Sequence, residues 1–110
     1  MSGVLDATCV TDLAHDVGAV AALGMLDRFL AMLPGRVERL HRAVAAGNRA
    51  ELRDATLSLE CSATMLGAHR LAALCGECRK HAEVPAELEQ VVAITGSALA
   101  SLRRRLSAER

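Results

Sequence analysis

Four cysteines and four histidines are the side chains in this chain with the most versatile chemistry, able to act as nucleophiles, metal ligands or proton carriers. Three of them recur at three-residue intervals in Cys75-Gly76-Glu77-Cys78-Arg79-Lys80-His81, and on a helix such positions drift around one side. Zinc would accept two thiolates and an imidazole, with Cys61 as a fourth ligand. Structural zinc, however, takes its Cys-x-x-Cys pair from a turn where the sulfurs converge. Cys75 instead falls on an apolar stripe, and free cysteine is readily buried. Core thiols are therefore the expected role of Cys75 and Cys78, His81 is at most a weak third ligand, and no metal or other cofactor is expected. Cys61, if exposed, would be open to oxidation, which keeps a metal- or redox-responsive helical module as an alternative. His15 and His41 lie on helix faces with no acid-base partner evident from sequence, and His69 opens a helix, where a surface or capping role is expected. Arg103-Arg104-Arg105 could contact phosphates, but at a helix C-terminus its simpler role is to complement the macrodipole.

The elements that must position these groups are helical. In 110 residues, 52% are apolar but only 1% aromatic, with Phe29 alone. A core of Leu, Val, Ala and Met suits close helix packing better than a sheet. The chain is long enough for one domain, residues 1–110, with a single modest core. Thirteen basic residues balance thirteen acidic ones, so there is no broad electrostatic footprint for nucleic acid, and stacking platforms for single strands are missing. Met1-Ser2-Gly3-Val4-Leu5-Asp6 lacks the pattern of a signal peptide, and no apolar run approaches the ~20 residues of a membrane span. Four cysteines in such a setting read as reduced cytosolic thiols. A soluble, cytoplasmic domain is the expectation.

Taken in order, Asp6 to Gly18 predicts a short first helix with Asp6 as N-cap, Gly18 as stop, and Val10, Leu13 and Val17 on its apolar face, lying across the end of the main bundle. A long helical pattern from about Ala19 to Ala46 keeps Leu23, Leu26, Phe29 or Leu30, Leu33, Val37, Leu40 and Val44 in register. Pro34-Gly35 predicts a kink in one helix, although two shorter helices also fit. Gly47 ends the run, and Asn48-Arg49-Ala50-Glu51 reads as a capping box in which Glu51 reaches back to the Asn48 amide. Leu52, Ala55, Leu59, Ser62, Ala63 and Leu66 form the inner stripe of the third major helix, closed by Gly67. Ala68 to Ala82 forms the next, with Leu71, Leu74, Cys75 and Cys78 inward. Pro85 is expected at the first position of the last helix, with Glu87 and Glu89 near its start. Leu88, Val91 or Val92, Ile94 or Thr95, Leu99 and Leu102 form its inner face. Short turns favour antiparallel neighbours. The fold class is all-α, an antiparallel up-down four-helix bundle with an additional short N-terminal helix.

One stretch carries more than fold. Thr56-Leu57-Ser58-Leu59-Glu60-Cys61-Ser62-Ala63-Thr64-Met65-Leu66-Gly67-Ala68-His69-Arg70-Leu71 resembles the signature of the histidine phosphotransfer (HPt) domain, His-x-Leu-Lys-Gly-Ser-x-x-x-x-Gly-Ala-x-x-Leu. The resemblance extends over nearly the whole chain: Val4-Leu5-Asp6 at the entry, Phe29-Leu30 before Pro34, Leu40, Ala43 and the Gly47-Asn48 turn, and Gly67 to Cys75. It implies the same bundle that the periodicity predicts. Anchored on Gly67-Ala68, it places the family's phospho-accepting His at Leu57, its Leu at Leu59, its Lys at Glu60, its Gly at Cys61 and its first Ser at Ser62. Sliding the register by one puts Thr56 at the His position and loses the match at Leu59. Neither register supplies a His.

The substituted residues cannot do the family's chemistry. Phosphotransfer needs an exposed imidazole to attack an aspartyl phosphate, and Leu57 has no nucleophile. A lysine one turn on would favour the added charge, whereas Glu60 repels it by on the order of 1 kcal/mol or more. Cys61 narrows the room a glycine leaves. Leu57 points about 200° around the helix from Leu59 and is expected to be exposed. The resemblance implies a phosphorelay protein of two-component signalling without the phosphorylatable His. It would not be an enzyme but an adaptor or competitor for a response-regulator receiver domain or histidine kinase, docking through Leu57, Glu60, Cys61 and Thr64. The same face could serve a homodimer. An active phosphotransfer protein using a displaced His is the alternative.

Overall fold

The structure, a computed structural model, describes residues 4–108; Met1 to Gly3, part of the stretch read for a leader, lie outside the described residues. Among the described residues five helices form: α1 (Ala7–Val17), α2 (Ala19–Ala46), α3 (Arg49–Met65), α4 (His69–His81) and α5 (Leu88–Ala108). The long helices close a ring in which α2 packs on α3 and α5, α3 on α4, and α4 on α5, while α1 packs on α2. This is the all-α four-helix bundle with an added N-terminal helix that the periodicity predicts. At about 1.5 Å per residue, α2 nearly spans the molecule's 46 Å length.

The core lies along the bundle axis. Leu26, Leu40, Leu59, Leu71, Leu74, Leu88 and Leu99 are fully buried, and Val10 joins them from α1. Each such leucine stabilises the fold by about 1.5–3 kcal/mol relative to an exposed one. Pro34 does not divide α2, which runs as one helix from Ala19 to Ala46. Gly47 ends it in the left-handed conformation at φ 64°.

Several local expectations need correction. Val17 is 49% exposed, so the apolar face of α1 narrows to Val10 and a half-buried Leu13. Asn48 caps α3 through its side chain, which accepts from the Glu51 amide at 3.0 Å. The other half of the capping box does not form. The Asn48 amide donates to the Ala43 carbonyl at 3.1 Å, and the Glu51 carboxylate turns to Arg39 across the α2–α3 seam. Pro85 does not open the last helix. It stands ahead of α5, in a turn closed by Leu88 N–H donating to its carbonyl at 3.1 Å. On α5, Val91 and Thr95 face inward, while Val92 is half-buried and Ile94 is 44% exposed.

Candidate functional site

The outer face of α3 is set by what its inner face must bury. Leu52, Ala55, Leu59 and Ala63 are in the core, so Leu57, Cys61 and Thr64, at positions i, i+4 and i+7, fall on the opposite side. Cys61 and Thr64 are exposed, whereas Leu57 is half-buried rather than fully exposed as expected.

The two shoulders of this face differ. Toward α4, the buried Thr56 hydroxyl donates to the Leu52 carbonyl at 2.8 Å and accepts from Arg79 Nη1 at 3.2 Å. The same Arg79 nitrogen lies 2.9 Å from Glu60 Oε1. Glu60 is thus drawn sideways into an ion pair, and the cation nearest it belongs to α4. Toward α2, Arg36 Nη1 donates to Ser62 Oγ at 3.0 Å. Beside that bond runs a groove lined by Met25, Arg28, Phe29, Met32, Arg36, Ser62, Met65 and Leu66. Met32 and Met65 are 47% and 51% exposed. Methionine is unbranched and polarisable and adapts to varied partners. This groove goes unseen in the sequence motifs; its one signal is that Met25, Arg28, Met32 and Arg36 form a helical stripe beside the core stripe of α2.

No histidine stands on α3. His15 is exposed on α1, His41 Nε2 lies 2.7 Å from Glu89 Oε2 across the α2–α5 seam, and His81 is exposed at the end of α4. The cysteines considered as metal ligands are not brought together. Cys75 and Cys78 are fully buried, and Cys61 lies on the outer face of α3. Burial, followed by the nearby Glu60 carboxylate and Cys78, pushes the Cys75 thiol up to about 12. Burial likewise raises Cys78.

A different group converges where α1 meets the α3–α4 turn. Among the described residues, Asp6, Cys9 and His69 are the one set of three metal-capable side chains whose ligand atoms all lie within 4.8 Å of one another. His69 Nε2 is 4.0 Å from Cys9 Sγ and 3.9 Å from Asp6 Oδ2. The other carboxylate oxygen, Oδ1, caps α1 by accepting from the Thr8 amide at 3.1 Å and from the Thr8 hydroxyl. These Thr8 bonds, with a smaller effect of His69, hold Asp6 below its ordinary pKa. Partial burial first, then the Asp6 and Asp12 carboxylates, raise the Cys9 thiol. Sixty residues separate Cys9 from His69, so no local spacing announces the group.

A five-helix chain in which four helices close a bundle, with an accessible third-helix face, defines a class of small helical-bundle domains. Residues 24–110 match the Hpt domain family. The chain belongs to that family. The fold is also similar to the crystal structure of histidine-containing phosphotransfer protein B (HptB) from Pseudomonas aeruginosa PAO1, with a TM-score of 0.67 and 22% identity over 99% of this chain and 96% of that one. Among curated proteins none matches this chain.

Proposed function

We propose that this HPt domain works in phosphorelay signalling by binding a receiver domain or histidine kinase, without carrying phosphate itself. The observation that carries the reading is Leu57, at the position where the resemblance places the phospho-accepting His. It lies on the outer face of α3 in a scaffold otherwise kept. Two further features support it. Glu60, at the lysine position, is held by Arg79 at 2.9 Å, so no ammonium is offered to a phosphoryl group there. The methionine-rich groove beside Ser62 supplies apolar surface, with Arg28 and Arg36 among its lining, suited to a partner whose docking face is apolar and carries acidic groups.

The test is binding of the purified protein to receiver domains and kinase dimerisation domains, with and without Leu57→Asp. Loss of at least tenfold in affinity is expected, about 1.4 kcal/mol, because a charge placed among docking side chains must be desolvated without a partner. Unchanged binding in the variant removes Leu57 from the interface. Incubation with a phosphorylated receiver supplies the second readout: acid-labile phosphate appearing on the wild-type chain would overturn the proposal in favour of a displaced His. The triple change Leu57→His, Glu60→Lys and Cys61→Gly is expected to introduce such labelling, since it restores a nucleophile, a cation one turn away and room for the phosphoryl group.

A further inference from the structure

We infer that Asp6, Cys9 and His69 form a binding site for a single divalent transition-metal ion of the zinc class, at the junction of α1 with the α3–α4 turn. The donor set is a thiol, an imidazole and a carboxylate. Sulfur and nitrogen donors favour zinc and its neighbours, whereas calcium and magnesium take oxygen alone.

The distances fit with little movement. Tetrahedral zinc with bonds of about 2.3 Å to sulfur and about 2.0–2.2 Å to nitrogen and oxygen places S and N about 3.5 Å apart and N and O about 3.4 Å apart. Here the corresponding separations are 4.0 and 3.9 Å. Closing each by about half an ångström needs only small side-chain rotations. Asp6 and His69 are 48% and 52% exposed, which leaves space for the imidazole to make them while Asp6 Oδ1 keeps its Thr8 bonds. One nitrogen, His69 Nε2, faces both the sulfur and the carboxylate oxygen, so the three donors surround a common point. Asp6 divides its work: Oδ1 caps α1 while Oδ2 is turned to the imidazole.

The backbone fixes this arrangement in advance. The Asp6 amide donates to the Gly67 carbonyl at 2.8 Å, and the Cys9 amide donates to the Asp6 carbonyl at 3.1 Å. Asp6 and Cys9 thus share the first turn of α1, and His69 is two residues beyond the glycine whose carbonyl accepts from the Asp6 amide. Two helix N-termini meet here, and their dipoles favour the Asp6 carboxylate. The thiolate, disfavoured in the free site by burial and the neighbouring carboxylates, forms as the metal displaces the Cys9 proton. Binding replaces the Cys9 S–H bond with an S–metal bond and releases one proton to solvent, with no change of oxidation state. The three protein ligands leave a fourth position for water or a ligand from a partner. The bound ion ties α1 to the start of α4.

The test uses the full chain stripped with a chelator and titrated with cobalt(II), followed by zinc. One equivalent of cobalt is expected to bind with a thiolate-to-metal charge-transfer band, zinc is expected to displace it, and zinc is expected to raise the unfolding temperature. Cys9→Ser and His69→Ala should each weaken binding at least tenfold, whereas Cys61→Ser should leave it unchanged. In the unaltered chain, zinc should protect Cys9 but not Cys61 from alkylation, read by peptide mass spectrometry, so the result does not depend on how the variants fold. Absence of the band, its loss in Cys61→Ser, or failure of zinc to protect Cys9 would overturn the site.

Discussion

Gly67 shows how a single residue joins two distant parts of the chain. Its φ of +82° is in the left-handed region, and a Cβ there would overlap the Asp6 carbonyl oxygen and lie 3.1 Å from Cys9 Cβ. The motif glycine therefore serves packing: it admits the backbone of the α1 entry to the α3–α4 turn. Gly67→Ala combines backbone strain of about 1–2 kcal/mol with displacement of Asp6 and Cys9, and a total loss of about 2–4 kcal/mol is expected in urea unfolding. Zinc-dependent stabilisation should fall with it, since two of the three ligands move. Leu57 and Glu60 show a different residue-level lesson. At the positions where the resemblance places the family's His and Lys, the sequence reads Leu and Glu. That Glu60 is taken up by Arg79, 19 residues away, depends on how α3 and α4 pack, and local spacing does not contain it.

At the scale of elements, most boundaries could be read in advance because they rest on local chemistry. Asp6 and Asn48 cap α1 and α3 through their side chains, and Gly18 and Gly47 end α1 and α2. What escaped depends on competition between partners. The Glu51 carboxylate finds a guanidinium across the helix seam, which outweighs reaching back to an amide already bonded to Ala43. Pro85 begins a turn because Leu88 N–H closes onto its carbonyl, delaying α5 by one turn. The metal-capable trio joins two elements and so has no sequence pattern. Two helix positions invite a direct test. Gly35 lies within α2, and a Cβ there meets nothing within 4 Å, so Gly35→Ala is expected to stabilise by about 0.5–1 kcal/mol. Ala82 ends α4 in the left-handed conformation at φ 56°, where glycine avoids steric strain, so Ala82→Gly is expected to stabilise by roughly 0.5–1 kcal/mol. Shifts in the urea midpoint at constant slope measure both, and a destabilised Ala82→Gly would show that the strain is smaller than the entropy glycine adds to the unfolded chain.

Across the whole molecule, ion pairs follow the seams of the ring. Arg39–Glu51 links α2 to α3, Arg79–Glu60 links α3 to α4, and Arg70 meets Glu87 just before α5. Asp27–Arg103 then joins α2 to α5, where His41 Nε2 also lies 2.7 Å from Glu89 Oε2. Exposed pairs of this kind add little individually, but they give stability a definite pH dependence. The Arg103 guanidinium holds Asp27 below its ordinary 3.8, and Arg39 holds Glu51 below its ordinary 4.5. A carboxylate depressed in the folded state contributes stability that is complete above its unfolded pKa and is lost as pH falls through the folded one. The urea midpoint of the wild type should therefore exceed those of Asp27→Asn and Glu51→Gln at neutral pH, and the gaps should close in acid below 3.8 and 4.5 respectively. Cys75 acts at the other end with the opposite sign. Its thiol is raised from 9.0 to about 12, first by burial, so its contribution is complete below 9.0 and is lost as pH rises toward 12. Cys75→Ala should lower stability at neutral pH through the cavity it leaves, yet flatten the alkaline limb. Parallel wild-type and variant curves on that limb would show that another group drives alkaline unfolding.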